Sequence, residues 1–223
     1  MTPPGKRTVK KLAFERQLLA GGITLIAGVD EAGRGPLAGP VVAAAVIFPM
    51  AWLHDGLPRE LRGLNDSKQL TAAEREEFYT RLTTDAEIRF GFAVVAPEII
   101  DLINILQATH RAMNEALACL QPAPAHVLVD GLRVRTLRYP QTSIVEGDAK
   151  SYSIAAASVI AKVTRDRLML DFHRQFPEYG FADHKGYGTP QHLEAIARHG
   201  PCPIHRRSFA PIKQPEPELF PWP

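Results

Sequence analysis

Four carboxylates give the first chemical lead in this 223-residue sequence: Asp30 with Glu31 beside it, Asp130, and Asp148. They follow short apolar runs at Leu25–Val29, Val127–Val129 and Ser143–Val145. Such runs read as buried strands, and sites in α/β sheets assemble where strands end. Carboxylates from separate strands can therefore converge. Two of them ~4 Å apart repel by about 4 kcal/mol at an effective dielectric of 20. A cluster of four stays ionised only beside cations. Two divalent ions would balance the charge, and hard oxygen ligands favour Mg2+ or Mn2+. Such a pair of ions suits in-line attack by water on a phosphodiester. The plainer alternative makes the acids caps and turn formers, because Asp130-Gly131 and Gly147-Asp148 are ordinary turn dipeptides. It fits the adjacent pair Asp30-Glu31 poorly.

Directly after that pair comes Gly33-Arg34-Gly35-Pro36-Leu37-Ala38-Gly39-Pro40. Glycines let a backbone approach a ligand closely, and Arg34 between two of them can hold a phosphate through two parallel hydrogen bonds. The pattern is neither a Walker A loop nor a dinucleotide fingerprint, so a nucleotide cofactor is not expected. A tight connection between two strands would also use these residues.

The elements that must position these groups follow from periodicity. Residues 1–22 read as a basic arm (Lys6, Arg7, Lys10, Lys11) with a short helix near Phe14–Leu19. Leu25–Val29 is a strand whose end is Asp30, and Val41–Phe48 is the next. Leu53–Leu64 reads as a polar loop. Thr71-Ala-Ala-Glu74 is a capping box that opens a helix to about Leu82. Glu87–Val95 alternates as a third strand. Pro97-Glu98 opens a long helix with one apolar stripe from Ile99 to Leu120. Short strands follow at Val127–Val129 and Ser143–Val145. Ser153 reads as the cap of a helix over Ile154–Val163, which is apolar nearly all round and therefore buried. Gln191–Arg198 is the last helix, and the tail from Pro211 reads as extended or disordered. Strands in series, then strands alternating with helices, indicate an α/β mixed sheet flanked by helices.

The motifs also resemble a known family. Gly28-Val-Asp-Glu-Ala-Gly-Arg-Gly-Pro-Leu-Ala-Gly-Pro40 is similar to the signature of ribonuclease HII. Also similar, and in order, are Leu64-Asn-Asp-Ser-Lys68, Val129-Asp-Gly131, Gly147-Asp148 with Ser153 through Asp166, His184-Lys-Gly-Tyr187 and His205-Arg-Arg-Ser-Phe209. The resemblance implies a ribonuclease H-like mixed β-sheet flanked by helices, with a small C-terminal helical extension. The divisions would be a basic arm (1–22), a catalytic domain (23–212) and a Pro-rich tail (213–223). It implies an endonuclease that hydrolyses the RNA strand of RNA–DNA hybrids. It also implies cleavage 5′ of ribonucleotides embedded in duplex DNA, leaving 5′-phosphate and 3′-hydroxyl ends.

By the same resemblance Asp30, Glu31, Asp130 and Asp148 hold the metal, Mn2+ or Mg2+, and carry catalysis. Gly33, Arg34 and Gly35 read the 2′-hydroxyl largely through backbone groups, and Tyr187 packs at the RNA–DNA junction. Lys68 and Lys185 support phosphates or the site. The 2′-hydroxyl is the one group that separates RNA from DNA at a given position. One departure stands out. The family usually has Lys two positions before the fourth acid, and this chain has Glu146. In an extended segment residues 146 and 148 share a face, so Glu146 would raise the pKa of Asp148 or hold a metal through water. Asp166 is the substitute acid, although on a helix it reads as a surface partner of Arg165 or Lys162.

Composition limits the rest. Two cysteines, Cys119 and Cys202, rule out a disulfide scaffold. No apolar run reaches the roughly 18 residues a membrane helix needs, and the start lacks a secretion signal, so a cytoplasmic monomer without a membrane partner is expected. The formal charge of +2 permits a nucleic-acid partner without requiring one. The basic residues cluster, however, at the start, at Arg133, Arg135 and Arg138, and at His205-Arg206-Arg207. His199, Cys202 and His205 have zinc-like spacing, and Ser67-Lys68 could form a nucleophile pair; both are minor readings. The Pro-rich tail ending Glu218-Leu-Phe-Pro-Trp-Pro223 could hook a sliding clamp. Two rival functions remain. A phosphoaspartyl protein would want Asp-x-Asp where this chain has Asp-Glu. A nucleic-acid-binding module would leave the acids structural.

Overall fold

The computed structural model describes residues 11–212. In chain order the elements are α1 (Ala13–Ala20), β1 (Ile26–Ala32), β2 (Val41–Ile47), α2 (Met50–Asp55), α3 (Ala72–Thr84), β3 (Arg89–Val95), α4 (Pro97–Ala118), β4 (His126–Asp130), β5 (Gln141–Ile144), α5 (Gly147–Lys150), α6 (Tyr152–Gln175), α7 (Phe181–His184) and α8 (Pro190–His199). The strands form one mixed sheet in the order β3-β2-β1-β4-β5. β2 runs antiparallel to β1 and β3, while β4 is parallel to both β1 and β5. Among the described residues no helix is long and apolar enough to cross a membrane.

Each sheet face buries one helix. β2, Val-Val-Ala-Ala-Ala-Val-Ile, is buried at every position. Val42, Ala44 and Val46 join the core under α6, and Ala43, Ala45 and Ile47 the core under α4. Small side chains on the strand and three alanines at 155–157 let α6 lie close to the sheet. The closest approach is at Gly28 of β1, where an added Cβ would sit 2.2 Å from the Ser153 backbone. The buried Glu15 of α1 fixes the start of α6: it accepts from the Ser151 hydroxyl (2.6 Å) and the Ser153 amide (3.2 Å). Burial holds its carboxyl above the usual range. Leu12, Phe14, Leu18 and Leu19 pack on the same core, so residues 11–22 are joined to the body of the fold. Lys6, Arg7, Lys10 and the tail from residue 213 lie outside the described residues.

Several expectations change. Asp30 lies inside β1 rather than at its end, because pairing with β2 continues to Ala32↔Val42. The stretch Leu53–Leu64 holds the end of α2 and a 3-10 turn at Arg59–Leu61. There Leu53, Leu57, Leu61 and Leu64 are buried, so amphipathic spacing outweighs the polar composition. α4 is not a straight rod. Asn104 has φ 65° and ψ 163°, and its side chain accepts the Gln107 amide (3.1 Å), which recaps the second half. Ser151, not Ser153, caps α6 by accepting the Ile154 amide at 3.2 Å. The capping box of Thr71 and Glu74 is present as read.

The contact at Gly28 generates a stability prediction. Gly28→Ala forces a methyl into the α6 backbone, which cannot rotate away. Urea unfolding should show a loss of about 3 kcal/mol, at the upper end of overpacking costs. A loss under 1 kcal/mol would mean that α6 is free to shift off β1.

Candidate active site

Register brings the acids together. β1 and β4 pair in parallel with Val29↔Val129, so Asp30 and Asp130 follow side by side on neighbouring strands. Ile26 and Leu128 face α6, whereas Val29 and Val129 face α4. By strand alternation Asp30 and Asp130 therefore face α6 together. Glu31 lies one position on, and β5 leads through Ile144, paired with Asp130, to Asp148 in the single turn α5. All four carboxylates line one cavity of about 460 Å3.

The electrostatics is that of crowded anions. Asp30 is 5% exposed. Burial first, then Glu31 and Asp130, push its pKa well above the ordinary range. Burial also raises Glu31, against the pull of Arg34 at 3.2 Å. Asp148 is pushed up to about 6 by burial, then by Asp130 and Asp66. The carboxylates are not drawn into a finished metal cage: among the described residues no three acidic, His or Cys side chains converge that tightly. Like charges repel, and each acid has taken a local donor. Asp30 accepts the Glu31 amide (2.7 Å), Asp130 the Gly147 amide (2.7 Å), and Asp148 the Ala149 amide (2.8 Å). Four hard-oxygen donors, one of them buried without any cationic partner among the described residues, fit a divalent cation.

The glycine loop forms the opposite wall, and two buried arginines that the sequence reading gave no such role hold it. Arg165 is 1% exposed and donates to the carbonyls of Pro40 (3.0 Å), Ala38 (3.1 Å) and Lys185 (3.0 Å). Arg206 is fully buried and donates to Gly39 (2.9 Å), Arg34 (2.9 Å) and Gly33 (2.5 Å). Burial lowers these guanidiniums to about 10 and about 9, which leaves both charged at neutral pH. Gly33 takes φ 97°, and an added Cβ would strike the Arg165 side chain at 2.1 Å. The amides of Arg34 and Gly35 have no acceptor among the described residues. Tyr187, 46% exposed, stands beside Gly35, where an added Cβ would lie 3.6 Å from its ring.

Most of the residues singled out in the sequence meet here: Asp30, Glu31, Gly33, Arg34, Gly35, Lys68, Asp130, Asp148 and Tyr187 line the cavity. Lys185 does not. Its ammonium turns to the Ala182 carbonyl, and it serves the loop only through its own carbonyl. Glu146 is excluded as well. It adopts left-handed φ 56°, so the segment is not extended, and its exposed carboxylate faces Lys150 at 3.5 Å. Asp166 pairs with Lys162 at 2.7 Å. Arg206, read as part of a basic cluster, is interior; of that trio only Arg207 is exposed. The zinc reading fails, since His205 spends its nitrogens on the Cys202 amide (2.9 Å) and His192 (3.0 Å). Ser158, Lys162 and Arg165 also line the cavity without having been read as site residues, and so does Ser67, read only as half of a minor nucleophile pair. Their only sequence signal was membership of the quoted motifs.

Acids side by side on neighbouring parallel strands of such a mixed sheet place the molecule among the ribonuclease H-like hydrolases. The family model for Ribonuclease HII matches residues 27–212. Ribonuclease HII of Bacillus cereus (strain B4264) is 54% identical over 200 residues, covering 90% of this chain and 74% of its own. The ribonuclease H2 structure from Pyrococcus horikoshii OT3 has a TM-score of 0.69 at 31% identity, covering 84% of this chain and 94% of that one. A PCNA:RNase HII complex from Archaeoglobus fulgidus gives a TM-score of 0.66 at 27% identity, covering 87% and 98%. The chain belongs to the ribonuclease HII family and is a ribonuclease H hydrolase, which removes the phosphoaspartyl and binding-only alternatives.

The raised Asp148 carboxyl generates a pH prediction. A folded pKa of about 6 against an ordinary 3.8 means that ionised Asp148 is disfavoured in the fold. The penalty is absent below about pH 4, grows as pH rises, and is complete above about pH 6. In EDTA, Asp148→Asn should therefore stabilise the protein at pH 7.5 by about 1 kcal/mol, after discounting for solvent screening, and not at pH 4. Calorimetry should show a rise in Tm of about 2–4 °C at the higher pH alone.

Proposed function

We propose that this ribonuclease H, besides cutting the RNA strand of hybrids, cleaves duplex DNA on the 5′ side of an embedded ribonucleotide. The products would be 3′-hydroxyl and 5′-phosphate ends. The observation that supports this reading is a single cavity with acids on one wall and free loop amides beside Tyr187 on the other. Cutting and sugar recognition then fall within one nucleotide of each other.

Asp30 and Asp130 would hold the more central cation, with Glu31 and Asp148 completing the shell and positioning water. Bound Mg2+ or Mn2+, as a pair, would supply charge neutralisation and activation of the attacking water. The chain's own residues do the rest. Arg34, Lys68 and Lys162 provide positive charge at the cavity for the substrate's phosphates. The amides of Arg34 and Gly35, fixed from behind by Arg206 and Arg165, would meet the 2′-hydroxyl. Tyr187 would pack on the sugar that follows, where a 2′-hydroxyl or its absence changes the fit. For the tail, we retain a sliding-clamp contact through Glu218-Leu-Phe-Pro-Trp-Pro223, supported by that sequence and by the relative solved with PCNA.

The test is strand scission of a duplex carrying one ribonucleotide, with Mn2+ or Mg2+ and with EDTA. Asp130→Asn should lower kcat by at least about 1000-fold, because it removes a charge needed at the reacting phosphate. Hybrid affinity in EDTA should stay within about threefold. Cleavage persisting within tenfold of the unaltered protein would end the assignment of Asp130, and scission in EDTA would end the metal reading.

A further inference from the structure

The second basic cluster is used by nothing described so far, and its setting is specific. A groove of about 520 Å3 runs between α4 and the β4–β5 loop. It shares Glu31, Arg34 and Asp130 with the acidic cavity, so the two spaces are continuous. Its far wall carries Arg133 and Arg135, both exposed and neither ion-paired among the described residues. Leu106 and Leu132, 47% and 82% exposed, also line it.

The loop is built to hold these side chains in place. Val134 is buried in the core under α4, so its neighbours on either side point outward. Gln141 of β5 grips the Val134 backbone from both sides, accepting its amide and donating to its carbonyl, each at 2.9 Å. Two guanidiniums on a pinned backbone, above exposed leucines and opening onto a phosphodiester site, have the chemistry to receive a nucleic-acid strand. Phosphates would meet the arginines, and sugars or bases the leucines.

We propose that this groove carries the nucleic-acid strand as it leaves the acidic cleft. The proposal rests on the reading of the site as a hybrid nuclease and adds the path that the substrate takes.

The experiment compares R133E/R135E with the unaltered protein on a hybrid of about 20 base pairs at about 0.1 M salt. KM should rise at least tenfold with kcat within twofold. The slope of log affinity against log salt should fall by about two units, one for each phosphate that an arginine no longer neutralises. A hybrid shortened to about four base pairs on one side of the cut should cost the unaltered protein the same factor and the variant nothing more. R81E, on α3 over the opposite sheet face, should leave KM unchanged. Fluorescence anisotropy in EDTA reads the same drop in affinity without cleavage, so failure of the nuclease reading and failure of the groove are seen separately. If the variant unfolds, R133Q/R135Q should show about half the effect in logarithmic terms. KM and affinity within twofold, or an equal effect from R81E, would overturn the proposal.

Discussion

Mutual repulsion among carboxylates is the constraint around which this molecule is arranged. Parallel pairing of β1 with β4 fixes Asp30 beside Asp130, and neither strand can yield, because both carry core side chains on their faces. The charges are therefore held where they are unfavourable. The raised carboxyls of Asp30, Glu31 and Asp148 record the cost, burial first and then the neighbouring negative charge. A rigid sheet that keeps anions close creates affinity for whatever cation and phosphate chemistry relieves them.

Positive charge is placed with matching care. Arg165 and Arg206 do not enter the acidic cluster; they lie behind the glycine loop and hold five of its carbonyls, from Gly33, Arg34, Ala38, Gly39 and Pro40. Burying a guanidinium is costly, and only a full set of acceptors makes it tolerable. The loop supplies that set and is immobilised in return. The amides of Arg34 and Gly35, without an acceptor among the described residues, therefore sit on a backbone that is already ordered.

The C-terminal extension is bound to this loop through backbone hydrogen bonds, such as Leu37 N–H to the Gly186 carbonyl and Gly39 N–H to the Ile204 carbonyl, and is held together within itself by neutral imidazoles. His205 accepts the Cys202 amide and meets His192 at 3.0 Å, and His192 in turn donates to the Tyr187 carbonyl at 2.9 Å. Burial, then His192, lowers His205 to about 4, so the chain of contacts is uncharged at neutral pH. Tyr187 thus stands at the junction between the sheet-borne acids and the helices of the extension.

The residue types and their order determined the chemistry. Asp30-Glu31, Asp130, Asp148 and the Gly33–Gly35 loop were legible because acids and paired glycines that follow short apolar runs stand out in the sequence. The mixed sheet and most helices were legible from periodicity, which reports which face is buried. Several features belong to the tertiary structure alone. Lys185 turns away, Glu146 leaves the site on a left-handed turn, and Arg206 goes inside rather than onto the surface. The exit groove along Arg133 and Arg135 also appears only in the fold. Each depends on which distant backbone offers a carbonyl, a cavity or a wall. A linear sequence encodes such partners only through packing across the whole chain, so the direction of a side chain was settled there and its chemistry was not.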